Sequence, residues 1–204
     1  MPRVSDAHRV ARRAEIIGAA LRCFTRAGYQ RTSMADIITE SGLSAGAIYS
    51  YFGGKQQLLV AVADHVLGDR QTALAAGGTF EGARSPGGVA ANIMRALAEK
   101  LRGIAGDGYA KAILQVWAEA TIDPEIRELA HSVIGQLLGA VTDALVACTE
   151  ADPDVLPAGE TDARAWAVGY APVVLGVVQG FIVQQSLFDD FDVDAYIAAA
   201  ADTL

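Results

Sequence analysis

The stretch LSAGAIYSYFGGK (43–55) gathers the hydroxyls of Ser44, Tyr49, Ser50 and Tyr51 and the ammonium of Lys55 around one short helical segment. These are hydrogen-bond donors and one full positive charge, the groups that hold phosphate oxygens. Groups arranged for bond-breaking chemistry are not in view. GGKQ (53–56) lacks the earlier glycine and the Ser/Thr of a phosphate-binding loop, and neither G-x-G-x-x-G after a strand nor G-x-S-x-G occurs. His8, His65 and His131 stand isolated, and Cys23 and Cys148 match neither a zinc spacing nor a disulfide framework. Asp190, Asp192 and Asp194 imitate the start of a calcium loop, but Ala195 replaces its glycine and Ala201 its bidentate glutamate. Neither an enzyme nor a metal or cofactor site is expected.

The spacing within 43–55 shapes a helix for close approach. With Ser44 as N-cap, Leu43 and Ile48 occupy the positions of a hydrophobic staple, and Ile48 and Phe52 point into a small core. Ala45, Gly46, Tyr49 and Ser50 remain on the other face, where Gly46 removes the side chain that would hold a backbone away. The N-terminal amides of such a helix suit phosphate, and small exposed groups can reach base edges in a major groove, so DNA is the natural partner. Phe52 is core; Tyr51 divides between core and a hydroxyl donor.

The elements that must position this helix are themselves helical. Ala, Leu, Glu, Gln and Arg dominate, no alternation of period two is sustained, and Gly/Pro clusters separate stretches of helix length. Clear breaks fall at 77–88, 103–108, 121–124, 150–160 and 189–192. Ile16, Ile17, Ala20, Leu21 and Phe24 give a first helix one apolar stripe ended by Gly28. In TSMADIITESG (32–42), Ser33 and Asp36 resemble a capping box, and Gly42 stops the helix. Asp123, Pro124 and Glu125 mark another helix start, and Asp192 or Asp194 caps the last one. The expectation is an all-α fold of about nine helices, with a three-helix helix-turn-helix module over 1–56 and a larger bundle over 57–204. A helix from Lys55 to about Ala76, striped by Leu58, Leu59, Val62 and Val66, joins the two.

Charge divides the same way. The 204 residues carry a net −8, with 52% hydrophobic and 20% charged residues, which argues for a globular chain. Residues 1–55 hold eight Arg and Lys against four acids, a local +4, leaving −12 for the remainder. A basic head that meets a polyanion and an acidic body that does not would account for this. The N-terminus has no apolar run behind its charges, so a cytoplasmic protein with reduced thiols is expected.

TSMADIITESGLSAGAIYSYFGGKQQLL, preceded by AALRCFTRAGYQRTS, resembles the DNA-binding module of the tetracycline-repressor (TetR) family of bacterial transcriptional regulators. The resemblance covers about the first 65 residues, with the Phe24–Gly28 helix end, Gly42, Tyr49, Phe52 and Lys55 in register. It implies a homodimer on double-stranded DNA, recognition helices in successive major grooves of a palindromic operator, and a C-terminal bundle that binds a small effector. By that resemblance Thr32, Ser33, Tyr49 and Lys55 hold phosphates, Ser44, Ala45, Gly46 and Ser50 lie nearest the bases, and Tyr51 does either. Ala47 stands where a threonine is common, and Gly53-Gly54 where a cap residue often precedes the lysine. The helix has no Arg, Asn or Gln, so specificity leans on apolar contacts, water and DNA shape.

In the bundle, Met94, Leu97, Tyr109, Ile113, Leu114, Trp117, Trp166 and Tyr170 are candidates to line a cavity for a small apolar effector. Ala165–Phe188 carries no charge and includes the GxxxG of Gly176 and Gly180. Gln179, Gln184, Gln185 and Pro172 argue against a membrane span, and an all-round apolar helix also arises from burial in a bundle on one side and a partner subunit on the other. Gly176, Gly180, Phe181, Gln184 and Tyr196 are therefore candidates for a homodimer interface completed by the last helix. The function expected is a ligand-responsive regulator, commonly a repressor; the alternative is a dimeric ligand-binding or scaffold protein without DNA function.

Overall fold

The computed structural model describes residues 6–75, 80, 82–104 and 108–204, with the backbone alone for 66–75, 100–104 and 108–109. Arg3 and the side chains of Val66 and Tyr109, used in the expectations above, lie outside the described residues. Among those residues there are nine α-helices, one short 3-10 turn and no strand. The helices are α1 (Asp6–Ala27), α2 (Met34–Ser41), α3 (Ala45–Tyr49), α4 (Lys55–Ala75), α5 (Pro86–Ile104), α6 (Gly108–Ala120), α7 (Pro124–Ala151), α8 (Ala163–Leu187) and α9 (Val193–Thr203). They fall into two compact units, Met1–Asp69 with Lys111–Ala130, and Arg70–Ala110 with His131–Leu204.

In the first unit α1 buries Ile16, Ile17, Ala20, Leu21 and Phe24. It ends where Gly28 turns left-handed at φ +84° and donates its N–H to the Phe24 carbonyl at 2.8 Å. The α2 capping box forms as expected. The Ser33 N–H and hydroxyl donate to Asp36 Oδ2 at 2.8 and 2.7 Å, and the Asp36 N–H donates back to Ser33 Oγ at 3.2 Å. Gly42, at φ +67°, closes α2. The two helices are also tied by charge, since Arg22 Nε and Arg26 Nη1 donate to the two carboxylate oxygens of Glu40 at 2.7 and 3.0 Å.

In the second unit α5 packs chiefly on α9 and α8. Residues 77–88 are expected to form one break, yet α5 begins within it at Pro86. Proline suits the first helical position, and Ser85 Oγ accepts the Gly88 N–H at 3.0 Å. Gly87 lies where a Cβ would run into the backbone carbonyls of Ala200 and Ala201. Phe181, Phe191 and Tyr196 form one aromatic cluster with centroids 5.3 to 5.9 Å apart, anchored by the Tyr196 hydroxyl donating to the Val177 carbonyl at 3.3 Å. α8 continues through Pro172, and Asp162 and Asp192 cap α8 and α9. Cys23 and Cys148 are buried free thiols.

Two outcomes test this packing. Gly87→Ala should destabilise the fold by about 1–3 kcal/mol, because the added methyl overlaps backbone that cannot move without shifting α9; an unchanged urea midpoint would refute the contact. Hydrogen bonds from Ser33 hold the Asp36 carboxyl below its usual range, and those from Arg22 and then Arg26 do the same for Glu40. Depressed folded values mean that this stabilisation is present above the unfolded pKa values, about 4, and is lost as pH falls through the lower folded ones. The thermal midpoint should therefore fall on acidification below about pH 4, and fall less in Glu40→Gln, measured by circular dichroism.

Candidate nucleic-acid interface

α3 is a five-residue helix whose ends are held from outside it. Ser44 Oγ accepts the Ala47 N–H at 3.2 Å, Ile48 is completely buried and Phe52 nearly so. On the opposite side Ser44, Ala45, Gly46 and Ser50 are exposed, and Tyr49 keeps half its surface open. A Cβ at Gly46 would meet nothing within 4 Å, so no packing within the chain requires glycine there. The Ser50 hydroxyl donates to the Ala47 carbonyl at 2.6 Å, and Tyr51 is half-buried. Arg13 of α1 sits 5.3 Å from the centre of the Phe52 ring, covering the inner aromatic with a cation. Gly53-Gly54 leaves the start of α4 without a capping side chain before the lysine. Gln57 supplies one from within the helix, its Oε1 accepting the Gly53 N–H at 2.6 Å.

Thr32 and Lys55 are engaged inside the fold. Thr32 is buried, with its hydroxyl placed to donate to the Gly28 carbonyl at 2.9 Å and the Cys23 carbonyl at 3.2 Å. Lys55 Nζ donates to the carbonyls of Tyr29 and Gln30 at 3.0 and 3.3 Å and lies 4.4 Å from the centre of the Tyr29 ring. A cation beside carbonyls just past the C-terminal end of α1 is favourable to that helix. Ser33 is exposed, with its hydroxyl in the capping box. The structure thus brings Ser44, Ala45, Gly46, Tyr49 and Ser50 to one open surface, with Thr32 and Lys55 occupied beside the α1–α2 turn.

A second set of contacts at that turn was not legible in advance. Gln115 of α6 accepts the Tyr29 N–H at 3.1 Å through Oε1 and donates from Nε2 to the Phe24 carbonyl at 2.9 Å. Gln30 Nε2 donates to Glu119 Oε1 at 3.0 Å, and Gln56 Nε2 to Asp123 Oδ2 at 2.8 Å. Burial, with the charges of Glu119 and Asp123 nearby, pushes the Tyr29 phenol up. The signal for Gln115 is slight, one amide inside the apolar run AILQVW (112–117).

The candidates for an effector cavity divide between the units. Ile113, Leu114 and Trp117 lie in the first, Ile113 fully buried and the other two half-buried. Met94 and Leu97 are buried in the second, where Trp166 and Tyr170 are half-buried and stack at 5.3 Å. A groove of about 370 Å³ in the second unit is lined by Arg95, Ala98, Glu99, Asp194, Ile197 and Ala198, and by none of these candidates.

The candidates for a dimer interface divide by direction. Phe181 is fully buried in its own chain, Gln184 is half-buried, and a Cβ at Gly180 would stand 3.1 Å from the Tyr196 hydroxyl. Gly176 faces open space. It shares the outer face of α8 with exposed Val168, Gly169, Pro172 and Val173.

Residues 16–62 match the model of the family described as bacterial regulatory proteins, tetR family. An HTH-type transcriptional repressor of Mycobacterium tuberculosis is 40% identical over 63 residues, 31% of this chain. The first of the curated relatives match over only 28 to 34% of their own lengths. The HTH-type transcriptional regulator TtgR of Pseudomonas putida is 30% identical over 194 residues, 94% of this chain and 90% of that one. In fold, FadR of Bacillus subtilis, solved in complex with stearoyl-CoA, superposes with a TM-score of 0.71 over 93% of this chain and 95% of that one, at 17% identity. With a helix-turn-helix whose caps and open face are in place, and a near full-length match to TtgR, the chain belongs to the tetracycline-repressor (TetR) family of bacterial transcriptional regulators.

Proposed function

We propose that the chain is a cytoplasmic, ligand-responsive repressor that binds a palindromic operator as a homodimer and is released by a small apolar effector. The observation that carries the DNA reading is the open face of α3. Ser44, Ala45, Gly46, Tyr49 and Ser50 face outward together, and the space over Gly46 lets a backbone come close to a groove floor. Phosphates are held by the exposed Tyr49 hydroxyl, with Lys55 lending charge at the edge, while the Ser33 hydroxyl is committed to Asp36. Specificity rests on small side chains, water and DNA shape.

The outer surfaces of two helices support the homodimer. α7 and α8 are each long and apolar enough to cross a membrane by length and composition, yet only 33% and 39% of their most apolar windows are buried within the chain. Val168, Val173 and Gly176 on α8 are the part of that surface a second copy would cover. Two recognition helices must then stand about 34 Å apart to meet successive major grooves. An effector weakens DNA binding only by its differential affinity for the two conformations. Neighbours in fold have been solved with ligands as unlike as stearoyl-CoA and choline, and Met94, Leu97, Trp166 and Tyr170 of the second unit remain candidates to meet this chain's effector.

Sequencing of duplexes retained from a random DNA library at moderate salt should yield an inverted repeat. Gly46→Ala should bind that repeat about tenfold more weakly while its helix gains about 0.5–1 kcal/mol, since alanine favours helix over glycine. No enriched repeat from a folded dimer would instead favour the ligand-binding scaffold without DNA function. In sedimentation, Gly176→Leu should shift the homodimer toward monomer without loss of helicity; a variant as dimeric as the wild type would remove the outer face of α8 from the interface.

A further inference from the structure

We propose that Gln115 is a positioning residue for the DNA-reading head, the latch through which the corner Lys111–Ala130 fixes the α1–α2 turn. The DNA arm of this proposal rests on the regulator reading above; the latch itself does not.

Both backbone polar groups of Tyr29 are held, one in each of its flanking peptides. Lys55 Nζ at the start of α4 donates to its carbonyl at 3.0 Å, and Gln115 Oε1 accepts its N–H at 3.1 Å. The other half of the Gln115 amide donates to the Phe24 carbonyl at 2.9 Å, so one side chain satisfies a donor and an acceptor at the end of α1. A carboxamide offers both at that reach, without charge and at any pH. The Gln30–Glu119 and Gln56–Asp123 bonds then hold the turn and the start of α4 against the same corner. The corner arrives late in the chain, yet it forms one compact unit with residues 1–69. α6 and α7, which supply it, both continue into the second unit. A residue that meets no DNA therefore sets how freely α1, and with it α2 and α3, can turn. Loosening it adds conformational freedom that operator binding must remove.

The test uses the full-length protein, the duplex selected by the wild type, and two variants. Gln115→Leu removes both bonds. It should remain helical, exchange the Tyr29 amide hydrogen faster, and bind the duplex about tenfold more weakly, the effect of losing two hydrogen bonds. The salt dependence of binding should keep its slope, because no phosphate contact is lost. Gln115→Glu keeps the acceptor for Tyr29, but as a carboxylate it repels the Phe24 carbonyl; protonated, it can donate again. Its affinity relative to wild type should therefore recover as pH falls from 8 to about 4, through the ordinary range of a glutamic acid, whereas that of Gln115→Leu stays low. The charged groups near this position, Glu119 on α6, Lys55 on α4, Arg31 in the α1–α2 turn and Asp123 at the corner, are common to all three proteins. They act on a charge at position 115 in Gln115→Glu alone, and so set the pH at which it recovers.

Wild-type affinity in Gln115→Leu, or an unrecovered Gln115→Glu, would overturn the positioning role. So would a shallower salt slope in Gln115→Leu, which would mean that a phosphate contact had been lost. If the wild type selects no duplex, the regulator reading fails separately, and the Tyr29 amide then decides the latch: faster exchange in Gln115→Leu supports it, and unchanged exchange rejects it.

Discussion

A helix of five residues, Ala45–Tyr49, is too short to persist alone, because nucleating a helical turn costs more order than its few hydrogen bonds return. Its shape must come from neighbours, and much of the first unit acts to supply it. Ser44 closes the N-terminus, Ile48 and Phe52 anchor the inner face, and Gly42 sets the turn that leads in. Burial of those two side chains, roughly 1.5–3 kcal/mol each, outweighs what so short a backbone contributes. The outer face is thereby left free of any structural duty, which is why it can be small and polar.

The same economy governs the polar groups around α1. A buried hydroxyl or a cation near a helix end finds a carbonyl if one is in reach, since an unpaired buried group costs about 1–3 kcal/mol. Thr32 and Lys55 obey this at the α1–α2 turn, and Glu40 draws Arg22 and Arg26 away from the basic surface counted in the sequence. The eight Arg and Lys of residues 1–55 are therefore more cations than are free to meet a polyanion, and the net +4 already includes Glu40.

The second unit has the opposite excess, apolar surface beyond what its own core consumes. α5, α8 and α9 pack closely enough that Gly87 tolerates no side chain, and the aromatic cluster of Phe181, Phe191 and Tyr196 fills the α8–α9 corner. What is left over is the outward face of α8, where Val168 and Val173 stay open.

Local rules determined much of this protein from its residues alone. Helix count, the caps at Ser33, Ser44, Asp123 and Asp192, the glycine stops and the outward face of α3 are all governed by neighbours a few positions away, and periodicity reports them. Tertiary structure decided which groups are used up and which remain available. Gly180 and Gly176 form one motif in sequence, yet Gly180 faces Tyr196 and Gly176 faces open space. Phe181 reads as an interface residue and is core. Gln115 has nothing within its own helix to mark it, because its partners, Phe24 and Tyr29, lie 91 and 86 residues away. Contacts at such separation depend on how helices pack, and a pattern of period 3.6 carries information about one helix's faces but none about which neighbour each face will meet.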